Sequence, residues 1–298
     1  MKFKIKLIVG ILASLTLFGC GGDEVGTGAL DIIISGEQAA VIGFPFTQNG
    51  ETVAFKDGWK LSFTKYLVSV GGITVKSAGE TTESPSDRFI ADLHKGDQTI
   101  AKLPGMSAKR WESFGFAIVP AAVGAKSLGA ADADVAAMVA AGVTHWVEGS
   151  GTKGANTIPF SFALKIPTTN KDCTSGIDNK AGVIIRPNTT SKAQITFHVV
   201  HMFWDTLGTE EASIRFEAVA AAAGADKVVS WDDLATQPLA ALKGIDGMPL
   251  KDEAGTLIIY NPGAVLLDAQ NLQAFMKAST STQGHLDGEG LCTVSSRN

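Results

Sequence analysis

The chain has 298 residues and a formal net charge of −5, which is enough for one large domain or two small ones. The mildly acidic balance, without any cluster of Lys and Arg, excludes nucleic acid as an expected partner.

Residues 1–19 have the pattern of a signal peptide. Three lysines precede the apolar stretch 7–18, which is too short to span a bilayer comfortably. The stretch ends in L-F-G-C, which resembles a bacterial lipobox with Cys20 as the residue to be lipidated. Because Gly21 rather than an acid follows Cys20, the resemblance implies the outer membrane. A plain secretory signal and an uncleaved anchor are the alternatives.

After the signal peptide we expect a flexible tether at residues 20–28 and a single β-rich domain at 29–298. No later apolar run reaches about 18 residues, so the lipid on Cys20 is the expected membrane contact. An envelope protein is the other class of partner that the sequence leaves open.

Alternating or β-branched apolar residues predict a series of strands in the first two thirds of the chain. In one of them, Trp59, Leu61 and Phe63 share a face, and a glycine pair further on predicts a turn between two strands. Gly, Pro and Asn separate the strands, which favours a β-sandwich-like body. The predicted strands are 31–34, 59–64, 66–70, 73–76, 88–93, 111–119, 159–166, 182–186 and 193–200.

Helices are predicted at about 131–143 and within about 209–280. The first is rich in alanine and is closed by Gly142. In the second region Gly224 follows an alanine-rich run, and Ser230 begins a segment with the spacing of a capping box. The expected fold is therefore mainly β with a helical C-terminal portion, or α+β overall.

Two cysteines remain after Cys20, namely Cys173 and Cys292. An exported chain meets oxidising conditions, so an even number of cysteines predicts a disulfide, with two free thiols as the alternative. The bond would close a loop of more than a hundred residues. By the chain-entropy argument, this would stabilise the folded state by about 4–5 kcal/mol.

The decapeptide T-F-H-V-V-H-M-F-W-D contains His198, His201 and Asp205. On a helix these residues share a face, and imidazole is a favoured ligand for zinc and copper. On a continuous strand the two histidines point to opposite faces. A metal site here therefore requires the strand to bend, bulge or end between Val199 and His201.

Two more histidines lie where strands end or loops begin. His94 follows a predicted strand, and His285 lies in a glycine-rich segment that the predicted disulfide holds near Cys173. Three imidazoles and one carboxylate would suit zinc or copper. The alternative is that each histidine is buried and bonded to a main-chain carbonyl. His145 is interpreted as structural.

Several segments together resemble a group of uncharacterised bacterial secreted lipoproteins, over most of the mature chain. They are D-G-W, D-L-H, F-A-I-V-P, the loop of Cys173, F-H-V-V-H-M-F-W-D and G-H-L-D-G-E-G-L-C. The resemblance supplies no substrate. It implies that seven residues belong to one design: His94, His198, His201, Asp205, His285, Cys173 and Cys292.

Sequence motifs of common enzymes are missing, including G-x-S-x-G, H-E-x-x-H and the P-loop. We therefore expect an outer-membrane lipoprotein that binds a transition metal without catalysis. Its expected ligands are His198 and His201 with one or two of His94, His285 and Asp205. The alternatives are a structural or partner-binding envelope lipoprotein without a metal and a metal-dependent hydrolase.

Overall fold

The computed structural model describes residues 26–48, 50–209 and 212–296. Its strands, numbered along the chain, are β1 Thr27–Ser35, β2 Phe46–Gln48, β3 Glu51–Val53, β4 Lys60–Lys76, β5 Phe89–Asp92, β6 Gln98–Ser107, β7 Arg110–Trp111, β8 Ser113–Ile118, β9 Lys126–Leu128, β10 His145–Lys153, β11 Asn156–Leu164, β12 Thr168–Lys171, β13 Val183–Ile184, β14 Thr190–Phe197, β15 Val229–Ser230, β16 Gly284–Leu286 and β17 Thr293–Ser296. The α-helices are α1 Glu37–Ile42, α2 Asp132–Ala141, α3 Glu217–Ala220 and α4 Leu272–Thr280. Short 3-10 helices lie at Leu93–Lys95, Val199–Phe203, Asp232–Thr236 and Leu239–Ala241.

The predicted signal peptide, residues 1–19, and the predicted lipidation site Cys20 lie outside the described residues. The predicted tether, 20–28, is described only from residue 26 onward. Strand β1 begins at Thr27, so the last two residues of that tether belong to the folded body. Among the described residues, no helix has both the length and the apolar character needed to cross a membrane.

A four-stranded sheet has the order β16-β14-β1-β6. Strands β1 and β14 run parallel, while β6 and β16 pair antiparallel on the outer sides. Along β1 the side chains of Leu30, Ile32 and Ile34 alternate with more exposed ones and are fully buried. Period-two alternation places these three residues on one face, where they form part of the core.

A nine-stranded sheet has the order β15-β11-β10-β4-β8-β12-β17, with β5 beside β4 and β9 beside β5. Its longest strand, β4, runs through the glycine pair that predicted a turn. Instead of turning there, the strand has an irregular register between Gly71 and Thr74, and Gly72 takes a positive φ of 58°. Glycine tolerates this backbone, so the pair bends the strand without ending it.

Both sheets contribute to a single hydrophobic core. It contains the buried residues of β1 together with the buried face of β4, including Leu61 and Phe63. Trp59, directly before β4, is buried with them, as the alternation predicts. A second, smaller cluster joins Leu67 and Ile90 of the nine-stranded sheet to Met138 of α2. The prediction of a mainly β fold is confirmed, and α2 lies within the predicted helix 131–143.

The helical C-terminal portion is present only weakly. Helix α3 has four residues, α4 has nine, and two 3-10 helices lie between them. Asp57 accepts hydrogen bonds from the main-chain N–H groups of Phe216 and Glu217, so helix α3 does not begin before Glu217. Residues 242–263 contain four glycines and two prolines, which oppose a continuous helix.

The disulfide between Cys173 and Cys292 is present as predicted. It joins the end of β12 to the start of β17, which pair antiparallel. The bond therefore fastens the C-terminal segment to the edge of the nine-stranded sheet.

We predict that the double substitution Cys173→Ser and Cys292→Ser lowers the free energy of unfolding by about 3–5 kcal/mol, because it frees a long loop in the unfolded chain. The two cysteines are 119 residues apart. Guanidinium denaturation monitored by tryptophan fluorescence measures the difference. A loss below about 1 kcal/mol would contradict the chain-entropy argument.

Candidate functional site

The chain changes from a strand to a 3-10 helix around His198. Strand β14 ends one residue before it, and the 3-10 helix Val199–Phe203 begins one residue after it. In the β14–β16 pair Thr196 lies opposite His285, so His198, two residues further on, lies on the same face. The 3-10 helix then turns His201 toward that side, because residues three apart align in this helix.

Three of the predicted ligands meet as a result. The ring centroids of His198 and His285 are 4.4 Å apart, and His201 is 5.3 Å from each of them. All three side chains are buried. We call these three residues the imidazole cluster.

Main-chain carbonyls fix the orientation of all three rings. Nδ1 of His201 and Nε2 of His285 each lie 3.1 Å from the carbonyl oxygen of Thr282, and Nε2 of His198 lies 3.1 Å from that of Gly288. A carbonyl oxygen only accepts, so each of these nitrogens carries a hydrogen and donates it. The second nitrogen of each ring does not contact these carbonyls: it is Nδ1 of His198, which contacts Glu37, Nε2 of His201 and Nδ1 of His285.

Two carboxylates lie beside His198. Oε2 of Glu37 is 2.9 Å from Nδ1, and Oε2 of Glu289 is 3.6 Å from Nε2. Burial favours the neutral ring, but the hydrogen bond and charge of Glu37, supported by Glu289, outweigh it and raise the pKa of His198. The imidazolium form of His198 is therefore favoured by this pair of acids.

The other two rings are held neutral. Burial, followed by the charges of His198 and His285, lowers the pKa of His201 to about 2. Burial and then the charge of His198 lower the pKa of His285 to about 4, with the main chain of Thr282 and the charge of Glu37 acting in the opposite direction. The indole of Trp204 stacks on His201 with ring centroids 3.6 Å apart. The cluster thus combines one charged ring with two neutral ones.

Nδ1 of His285 is buried and has no hydrogen-bonding partner within the described part of the chain. A buried nitrogen without a partner is costly, so it marks a position at which a ligand would be stabilising. In residues 26–48, 50–209 and 212–296, however, no group of three or more His, Cys, Asp and Glu side chains is arranged to hold a metal ion as it stands. Coordination would therefore require the rings or Glu37 to shift.

Two predicted ligands have other partners. Nδ1 of His94 donates to the carbonyl oxygen of Ala40, 2.9 Å away, because a carbonyl oxygen only accepts. Asp205 is bonded to Nε of Arg215 at 2.6 Å and to the main-chain N–H of Ser213. The structure therefore brings neither side chain into ring contact with the imidazole cluster, although His94 contacts the helix that carries Glu37.

Glu37 is the site residue that sequence reasoning missed. It lies at the start of α1 with a φ of 55°, an uncommon backbone for glutamate, and its N–H donates to Oγ of Ser35. Its position far from the histidines in sequence gave no signal of this contact. The only indication is an acid directly after a strand and a glycine, which is weak.

His145 occupies the place that the sequence interpretation gave it, inside the protein and apart from the cluster. Its ring is fully buried, Nδ1 lies 2.9 Å from the hydroxyl of Thr144, and the ring makes an edge contact with Phe197. Burial lowers the pKa of His145 to about 3, so this ring is neutral as well.

No family model matches the chain, and no curated protein or solved structure matches it either. The functional argument therefore depends on the geometry of the described residues.

We predict that acid destabilises the protein and that His285 contributes to this effect. The folded-state pKa of His285 is lower than its ordinary value of 6.5, so the unfolded chain binds more protons and stability falls as the pH drops from 6.5 to about 4. His285→Gln should reduce this slope by about 1.4 kcal/mol per pH unit. Urea denaturation at a series of pH values measures it.

His198 has the opposite sign. Its pKa is raised, so its stabilisation is complete below 6.5 and is lost as the pH rises through its folded-state pKa. His198 therefore does not offset the acid effect below pH 6.5. An equal pH slope in the wild type and in His285→Gln would contradict the neutral state assigned to His285.

Proposed function

We propose that this protein is an outer-membrane lipoprotein that binds one transition-metal ion at the imidazole cluster, without catalysis. The observation that supports it best is the convergence of three buried rings, each with one nitrogen donating to a main-chain carbonyl. The second nitrogen of His198 contacts the carboxylate of Glu37. All residues of this arrangement lie in the second half of the chain, and Glu37 from the first half contacts His198.

The spacing of the rings supports the proposal. A metal about 2.0–2.1 Å from a coordinating nitrogen is about 3.2 Å from the ring centroid, so three rings at tetrahedral angles have centroids roughly 5.2 Å apart. Two of the three centroid distances are 5.3 Å, and the third is 4.4 Å. Only the pair of His198 and His285 must separate.

The hydrogen bonds support it as well. In metal sites a coordinating histidine usually donates its second ring N–H to a carbonyl or carboxylate, which fixes the ring and the tautomer. Thr282 and Gly288 provide such carbonyls for all three rings. Glu37 already lies against Nδ1 of His198, so its carboxylate is the nearest candidate for a fourth ligand.

Three imidazole nitrogens with one carboxylate oxygen suit zinc, and imidazole also suits copper. His198 must give up its Nδ1 proton to bind, because only deprotonated nitrogen coordinates. This donor set contains no thiolate or thioether, which are the ligands that favour copper(I).

A structural role is the second candidate. Both nitrogens of His198 are hydrogen-bonded, and the described residues hold no group of donors already arranged around a metal. In that case the cluster is a polar junction that joins β14, β16 and α1, and the protein is a structural or partner-binding envelope lipoprotein. The hydrolase alternative stays a prediction; it would require turnover that is lost when His201 is replaced.

We predict that the purified domain binds about one equivalent of zinc, and that His201→Ala and His285→Ala each weaken binding by more than the roughly 10–100-fold typical of outer-shell changes. Competition with a chromophoric chelator measures the affinity. Cobalt(II) provides a second measurement, since tetrahedral coordination by three rings gives intense visible absorption bands.

His94→Asn is the matched control: its side-chain amide keeps a donor for the carbonyl of Ala40, and zinc affinity should be unchanged because His94 bonds to Ala40 and not to the cluster. Glu37→Gln should weaken zinc binding about 10–100-fold. Binding of less than about 0.1 equivalent of zinc or copper by the folded wild type would favour the structural role.

The envelope location is supported by the sequence of residues 1–20 and by the resemblance to bacterial secreted lipoproteins. The Cys173–Cys292 disulfide agrees with an oxidising compartment.

The finer description of the fold as a β-sandwich also belongs to this proposal, and it is supported by the contribution of both sheets to one core.

We predict that Cys20→Ser abolishes lipidation, because the thiol is the acceptor in a lipobox. In bacterial cells labelled with palmitate, the wild-type chain should carry label and sediment with outer-membrane fractions, while Cys20→Ser should not. Ser14→Ala, within the same apolar stretch, is the control. Equal labelling of the wild type and Cys20→Ser would contradict the proposed anchor.

A further inference from the structure

A second polar site lies away from the imidazole cluster, in an open cleft of about 1000 Å³. The turn Phe55–Gly58, the chain around Arg215 and the loop at 244–258 form its walls. Phe55 and Leu250 are buried and give it an apolar base. This is the size of a site for a small molecule, and such sites combine apolar walls with a few well-placed polar groups.

Arg215 supplies one of these groups. Its Nε donates to Oδ2 of Asp205 at 2.6 Å, and the side chain is only 13% exposed. Within the residues that the structure describes, neither of its terminal nitrogens has a hydrogen-bonding partner. A guanidinium group fixed along one edge presents its remaining N–H donors in a planar fork, which matches a carboxylate.

Asp57 supplies the opposite charge. Its Oδ2 accepts the main-chain N–H groups of Phe216 and Glu217, both at 2.8 Å. Its Oδ1 is buried and has no partner in the described chain. Burial raises the pKa of Asp57 although the two main-chain bonds act against it. Lys153, the cation whose charge acts on Asp57, donates to Glu217 instead.

Tyr260 is a further buried polar group without a partner. It is 2% exposed, and its hydroxyl has no partner among the described residues. Burial, followed by the charges of Asp57 and Asp205, raises its pKa, while Arg215 acts in the opposite direction. The hydroxyl therefore stays protonated.

We infer that this cleft binds a small zwitterion, such as a free amino acid, with its carboxylate on Arg215 and its ammonium group on Oδ1 of Asp57. An anion alone would leave the buried oxygen of Asp57 without a partner, and a cation alone would leave the guanidinium fork without one. Charged groups with restricted solvent access are stabilised by paired, hydrogen-bonded partners. The inference does not depend on metal binding.

Calorimetric titration tests the inference with five probes. Glycine, β-alanine and 4-aminobutyrate are zwitterions with increasing charge separation, while acetate and methylammonium carry one charge each. We expect at least one zwitterion to bind about tenfold or more tightly than either single-charge probe. No binding of any zwitterion at about 10 mM, or equal binding of acetate, overturns the inference and leaves ordered water as the partner of Asp57 and Tyr260.

Variants then locate the site. Asp57→Asn keeps an oxygen for the two main-chain N–H groups but replaces Oδ1 with an amide, and Arg215→Lys keeps the charge but removes the fork. Each should weaken the best zwitterion at least about tenfold, whereas Arg110→Lys, whose guanidinium pairs with Asp178, should not.

Circular dichroism and thermal melting establish that each variant is folded. If Arg215→Lys does not fold, Asp57→Asn carries the test, since it keeps an oxygen for the two main-chain N–H groups. Unchanged zwitterion affinity in folded Asp57→Asn overturns the inference.

Discussion

The carbonyl oxygen of Thr282 accepts hydrogen bonds from two imidazoles, Nδ1 of His201 and Nε2 of His285, and the candidate site depends on this shared acceptor. Thr282 lies between α4 and β16, and β16 pairs with β14 in a register that places Thr196 opposite His285. The strand pairing determines where the rings meet. The carbonyl of Thr282 determines which nitrogen of His201 and of His285 donates and which faces elsewhere. The disulfide then fastens the segment that follows β16 to the nine-stranded sheet.

The three rings of the imidazole cluster differ in charge. Glu37 favours the charged form of His198, and that charge, added to burial, keeps His201 and His285 neutral. Two neutral rings beside a carboxylate-bound third have the donor types of a zinc or copper site, whereas three charged rings would repel one another. Glu37 comes from α1, near the start of the described chain, so the site joins distant segments.

Much of the fold is readable from the sequence, because alternating residues such as Trp59, Leu61 and Phe63 bury one face of a strand wherever they occur. Spacing indicated His198 and His201, and the glycine-rich segment indicated His285, but neither distinguished them from His94 and Asp205 or indicated Glu37. That choice depends on tertiary partners: Arg215 holds Asp205, Ala40 holds His94, and Glu37 reaches His198 through a helix that no motif predicts. The glycines and prolines in 242–263 likewise oppose helix formation, although the alanine-rich sequence nearby predicts helices.

Anomalous X-ray diffraction at the zinc absorption edge, from crystals of the mature domain grown with zinc, tests the central claim most directly. The account predicts one strong peak about 2.0–2.1 Å from Nδ1 of His198, Nε2 of His201 and Nδ1 of His285, with the bonds to Thr282 and Gly288 retained. A map without a peak between these rings, or with zinc bound only elsewhere, would contradict it.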